Sequence, residues 1–120
     1  MRLHHVQVAI PSGGEDAARR FYAEGLGMTE VEKPEDLKAR GGAWFRQGGA
    51  EIHLGVEDPF TPARKAHPAL VLDEVTELEA VGARLLDLGF EVDWRERHTF
   101  PGHERFHTYD AHGNRVEVLA

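Results

Sequence analysis

The 120-residue sequence contains no cysteine. That absence excludes a disulfide framework, a thiolate metal site, an Fe–S cluster and a cysteine nucleophile. Any metal must therefore be held by imidazole and carboxylate. Basic charge is also scarce: 14 Lys and Arg stand against 21 Asp and Glu, a formal net charge of −7. A nucleic acid or an anionic membrane would call for a basic patch, so neither is expected as a partner. Long apolar runs are missing too. The opening MRLHHVQVAI lacks the apolar stretch of a signal peptide, and no later run approaches the roughly 18 residues of a membrane span. A cytoplasmic location is the resulting expectation. What the chain does have is histidine, eight of them. Its length suits one domain, residues 1–120, able to bury roughly two thirds of its unfolded surface.

Hydrophobic periodicity divides that length in two. Residues 3–10 alternate, with Val6, Val8 and Ile10 on one face, which reads as a strand. Ser12 and Glu15 fit a capping box, and Ala17, Ala18, Phe21 and Tyr22 continue at helical spacing until Gly25 and Gly27. A strand begins near Met28, and residues 34–42 read as a loop. Ala43–Gln47 and Glu51–Val56 read as strands joined at Gly48-Gly49. After a Pro-containing linker over 58–66, the order recurs. His67–Leu72 is a strand, and Asp73 an N-cap. Val75, Leu78, Val81, Leu85 and Leu88 mark a helix. Strands follow at Phe90–Trp94, Arg105–Tyr109 and Arg115–Leu119.

Offsets of 62 and then 64 superpose the halves, placing His5 on His67, Gly27 on Gly89, Ile52 on Val116 and His53 on Glu117. Such a repeat means two similar units packing as a pair, roughly residues 1–57 and 67–120. The fold expected is α+β: two paired βαβββ modules around a central cup, with helices on the outer face. Parity then sorts the polar residues. His5, His53, His67 and Glu117 each oppose the aliphatic face of their strand, so the cup would hold three imidazoles and a carboxylate. That set suits a divalent ion such as Zn, Ni, Mn or Fe(II). His53 could instead steady a ligand or face substrate. His4 shares the aliphatic parity, and His98, His103 and His112 fall in or beside turns.

The segments LHHVQVAIP, RRFYAEGLGM, HPALVLDEV and RFHTYDAHGNRVEVLA resemble the vicinal oxygen chelate superfamily, also called the glyoxalase/bleomycin-resistance/dioxygenase family. The resemblance spans nearly the whole chain. Its ending, with Asp110, Gly113, Asn114 and Glu117, is the most specific part. It implies paired modules around a metal held by His5, His67 and Glu117. The fourth family position, often Glu or Gln, falls on His53. That departure bears on glyoxalase I activity, where metal-associated carboxylates serve proton transfer.

The implied chemistry is chelation of a small substrate through neighbouring oxygens, with an enolate or oxyanion stabilised in an isomerase or lyase reaction. Glu117 is the expected base, which requires a raised pKa. His107 shares parity with Arg105 and Tyr109, and in relatives this position faces the cup. His107, Arg105, Arg46 and Gln7 are the expected substrate contacts, with Arg64 and Lys65 as further positive charge. The other reading is a non-catalytic binding protein, as in the antibiotic-sequestering branch. Fosfomycin-type transferases usually carry a hydroxyl where this chain has Gln7 and extend past the final glutamate, whereas this sequence stops at Ala120. Extradiol dioxygenases typically have four modules. A homodimer is expected by the same resemblance.

Overall fold

The computed structural model describes residues 1–120. Strand β1 (Val6–Ile10) leads into helix α1 (Glu15–Arg19), which continues as a π-helical segment over Arg20–Gly25. Then come β2 (Thr29–Val31), α2 (Glu35–Lys38), β3 (Trp44–Gln47) and β4 (Ala50–Val56). The second half supplies β5 (Ala69–Val71), α3 (Val75–Asp87), β6 (Val92–Asp93), β7 (Arg105–Tyr109) and β8 (Arg115–Leu119). Each half forms its own four-stranded mixed sheet, ordered β1-β4-β3-β2 and β5-β8-β7-β6. In each, the first and last strands pair in parallel and the rest are antiparallel. This is the expected α+β architecture.

Register expresses the repeat. Gln7 pairs with His53, and Ala69 with Glu117. On the other side, Trp44 lies opposite His53, and His107 opposite Glu117. Because side chains alternate along a strand, one face of each sheet buries Val8, Ile10, Ile52 and Leu54, or Phe106, Val116 and Val118. These join Phe21, Tyr22, Leu78 and Leu85 from the helical segments in a single core. Leu78, Val81 and Leu85 are the buried stripe of α3, at the spacing read from the sequence. The helical segments approach closely at Gly25, where a Cβ would sit 2.6 Å from Leu85 Cδ2. Arg84 Nε also donates to the Gly25 carbonyl there, at 2.8 Å.

Local signals fared less well. The Ser12–Glu15 capping box does not form: α1 starts after Gly14 with no side-chain cap. Glu15 Oε1 instead accepts the Gly42 N–H at 2.8 Å, a donor that only the fold brings near. Asp73 is not the N-cap of α3 either, because the helix begins after Glu74, whose carbonyl takes the N–H groups of Glu77 and Leu78. The loop expected over 34–42 contains the one-turn helix α2. Pro34 precedes it, and Glu35 and Asp36 in its first turn favour the helix dipole. The strand expected over 90–94 is reduced to Val92–Asp93.

Candidate metal centre

The face of the second sheet turned away from the helices carries Arg115 and Glu117 from β8, Arg105, His107 and Tyr109 from β7, and Asp93 from β6. His67, just ahead of β5, reaches the same place. One ligand atom each from His67, His107 and Glu117 lies within 4.8 Å of the others. Glu117 Oε2 is 3.1 Å from His67 Nε2 and 3.7 Å from His107 Nε2. Its other oxygen accepts Arg105 Nη1 at 3.0 Å. Both His107 and Glu117 are buried. Burial alone would push the Glu117 carboxyl up, but hydrogen bonds from His67 and Arg105 outweigh it and hold the group below the usual range. The raised value required of a proton carrier is not what the surroundings produce. Burial, aided by the charge of Arg115, pushes His107 down and favours its neutral, ligating form.

His67 adds a protonation argument. Its Nδ1 lies 2.8 Å from the Lys65 carbonyl, which can only accept, so Nδ1 carries the proton. Nε2 can therefore donate to the Glu117 carboxylate, 3.1 Å away, only when the ring carries a second proton. In a neutral ring Nε2 turns a lone pair toward that carboxylate, leaving two acceptors face to face. Such a contact is stable only with a cation between them, either a second proton or a metal ion. An imidazole that donates its far N–H to a carbonyl is the usual arrangement of a histidine ligand. Two imidazole nitrogens and a carboxylate oxygen therefore fit a borderline divalent ion.

The first sheet carries a different set at the equivalent positions. The His53 ring is stacked on Trp44 (centroids 3.8 Å apart, 3° between planes) and on His5 (4.0 Å, 16°). His53 Nε2 bonds Glu51 Oε1 at 2.8 Å, and Arg46 Nε reaches the other oxygen at 3.0 Å. These two bonds hold Glu51 at a pKa of about 2. Burial pushes the His53 imidazole down. The expected grouping of His5, His53, His67 and Glu117 in one place is thus not formed within the chain; His107 stands with His67 and Glu117 instead. The reason is cross-strand pairing. Glu117 faces His107, whereas His53 faces Trp44 and is clamped by it.

Gln7 is exposed and lies across Gly55, its Nε2 2.1 Å from where a Cβ would sit. Arg46 and Arg105 share these faces but are already engaged by carboxylates. The sequence reading passed over Trp44 as a stacking partner and Arg115 as a member of the site face. Parity with His53 and Glu117 was the available signal for each. A cleft of about 730 Å³ lies between the β1 and β5 edges, lined in part by His4, His5, Ile52, His67, Leu70 and Val118. It meets the cluster of His67, His107 and Glu117 only at His67.

Two mixed sheets from a repeated strand–helix–three-strand unit, with imidazoles and a carboxylate on the helix-averted face, define a glyoxalase-like class of protein. The sequence profile of the Glyoxalase/Bleomycin resistance protein/Dioxygenase superfamily matches residues 2–118, and the chain belongs to that superfamily. It is similar to a glyoxalase family protein from Bacillus anthracis, at 44% identity and a TM-score of 0.88, covering 99% of this chain and 93% of that one. The fold is shared with the fosfomycin resistance protein FosX from Listeria monocytogenes (17% identity, TM-score 0.72, 100% and 90% coverage). It is shared too with an integron cassette protein from the Halifax Harbour sewage outfall (19%, 0.78, 99% and 97%). No curated protein matches the chain.

Proposed function

We propose that the protein is a small metal-dependent enzyme of the glyoxalase-like type, acting as an isomerase or lyase on a small 2-oxo or 2-hydroxy compound. The observation that carries this reading is the convergence of His67, His107 and Glu117 on one point, with the His67 tautomer set by the Lys65 carbonyl. When bound, a divalent ion supplies Lewis acidity toward neighbouring oxygens of the substrate. Glu117, held ionised by Arg105, serves as ligand, and Arg105 keeps one of its oxygens turned away from the imidazoles. His107 is a ligand in this reading, where the sequence alone suggested a substrate contact. The Trp44–His53–His5 stack is a rigid wall on the matching face of the first sheet. The two modules work as a single domain, in a homodimer.

Calorimetric titration of Zn, Ni or Mn into chelator-stripped protein tests the reading. One ion per chain is expected, with affinity reduced at least tenfold in His67→Ala, His107→Ala and Glu117→Ala, on the scale set by ligand and ligand-support losses. His53→Ala should leave it nearly unchanged. Absence of binding, or binding indifferent to all three ligand variants, defeats the metal centre. Assays with α-keto aldehydes and dicarbonyl substrates then separate the enzyme from the second reading, a stoichiometric binding protein, which the apolar lining of the cleft favours. Metal binding without turnover in those assays supports the second.

A further inference from the structure

The arginines divide by how their charge is answered. Arg19, Arg46, Arg95, Arg97 and Arg105 each pair with a carboxylate. Arg20 and Arg84 donate to backbone carbonyls. Arg2, Arg40 and Arg64 stand in solvent. Arg115 alone is half-buried and unanswered: its Nε is shut off from water with no hydrogen-bond partner. A buried donor left without a partner is destabilising, and the two Nη groups of Arg115, which are not shut off from solvent, have no partner within the chain either. A buried donor of this kind calls for a partner, and none is within reach in the chain.

Its position says what that partner is. Arg115 lies on the same face as Glu117, two residues along β8, which is about 7 Å at ordinary strand rise. Its backbone is fixed by donation of its N–H to the Ala63 carbonyl at 2.9 Å. The aromatic ring opposite it on β7, Tyr109, already carries Arg64, whose Cζ is 4.8 Å from the ring centroid. Neighbouring charges on this face cancel in pairs, Arg105 with Glu117 and Arg95 with Asp93. Two arginines are left over, Arg64 in solvent over the Tyr109 ring and Arg115 half-buried beside it, in a chain whose net charge is −7.

We propose that Arg115 anchors a carboxylate of the substrate, so that the compounds bound on this face are small carboxylic acids bearing a neighbouring oxygen, such as 2-oxo acids. A carboxylate answers the half-buried Arg115 charge, and the two Nη groups that Arg115 leaves open can meet it in bidentate fashion. This deepens the proposed function and rests on its reading that substrate occupies the helix-averted face of the second sheet. It extends the sequence expectation from Arg105 and Arg46, whose charges are taken up internally, to a residue whose charge is not.

The test uses pyruvate as probe, with the uncharged pyruvamide as control. Arginine side-chain ¹H–¹⁵N spectra and calorimetry are recorded on the full chain with and without Mn²⁺. The Arg115 Nε–H signal, identified by its absence in Arg115→Lys, should shift with pyruvate and not with pyruvamide. Pyruvate affinity should fall at least tenfold in Arg115→Gln and to an intermediate degree in Arg115→Lys, while Mn²⁺ affinity stays within about threefold of the parent. If glutamine unsettles the fold, the lysine variant carries the same comparison, since it keeps the charge and loses the fork. Equal binding of pyruvate and pyruvamide, unchanged pyruvate affinity in the variants, or no pyruvate binding at all overturns the assignment. Failure of the metal centre reads differently: Mn²⁺ binding is then absent while pyruvate binding still depends on Arg115.

Discussion

Asp110 uses both carboxylate oxygens twice. Oδ1 accepts the backbone N–H groups of His112 and Asn114, and Oδ2 accepts Tyr22 Oη at 2.8 Å and Asn114 Nδ2 at 2.9 Å. Asn114 in turn donates to the Ala9 carbonyl and accepts from the Ala63 N–H. The ending that most strongly marked the family is thus a buried polar network tying the β7–β8 turn to β1, to the first helical segment and to the inter-module linker. Tyr22 is completely buried, and burial together with the Asp110 charge pushes its hydroxyl well above the ordinary tyrosine range. The unfolded chain releases that proton near pH 10 while the folded chain keeps it, so ionisation favours unfolding only above that value. Stability contributed by Tyr22 is therefore complete below about pH 10 and lost at up to ~1.4 kcal/mol per pH unit above it. Urea unfolding between pH 9 and 11 should show this decline, and Tyr22→Phe should remove the Tyr22 share of the slope while lowering stability at neutral pH. An unchanged slope in the variant would rule out the assignment.

Among the elements of the first sheet, β3 is the one that fixes the His53 ring, because it carries Trp44 against it. Its entry is set by Gly42, at φ +83°, where an added Cβ would lie 1.9 Å from the Leu54 carbonyl oxygen of β4. The Glu15 carboxylate accepts the Gly42 N–H, so α1, the turn and β4 are held together at this point. Gly42→Ala imposes both a left-handed conformation, costing roughly 1–2 kcal/mol for an L-residue, and a backbone collision that β4 must move to relieve. A stability loss of about 3 kcal/mol or more is expected in thermal unfolding, with a change in near-ultraviolet dichroism from Trp44. Preserved stability and dichroism would show that the approach of these backbones is not tight. The sequence marked this turn only as Gly-rich loop. It could not show that Glu15 leaves its expected capping role to serve it, since the competing donor is 27 residues away.

For the molecule as a whole, each sheet has two edge strands, β1 and β2 in the first and β5 and β6 in the second. Leu3, just ahead of β1, is 77% exposed, and Val71 on β5 is 68% exposed. Free strand edges with exposed apolar side chains invite pairing with another chain. Sedimentation equilibrium at tens of micromolar should give twice the 13.4 kDa chain mass. A monomer mass at every concentration would remove the proposed homodimer. In such an assembly His5, which stands on the first sheet away from His67 and Glu117 within one chain, gains a route to a partner's site.

Much of the architecture was legible beforehand because alternation and helical spacing are properties of neighbouring residues. The strand–helix–three-strand repeat, the buried face of each strand, and the placement of His67 and Glu117 on the opposite face all follow from periods of 2 and 3.6 applied along the chain. Element ends, caps and side-chain partners were not, because they depend on groups brought near from elsewhere. Parity could place His5, His53, His67 and Glu117 on helix-averted faces, but not say which would converge. That depended on the residue opposite each across the ladder, His107 for Glu117 and Trp44 for His53, and on how far apart the two sheets stand. The sequence by itself determined a repeated fold without cysteine, on which any metal ligands would be nitrogen and oxygen only. Only the tertiary structure decided that Arg105 is spent on Glu117 and Arg115 is left unanswered, because charge pairing is settled by distances across strands and not by position along the chain.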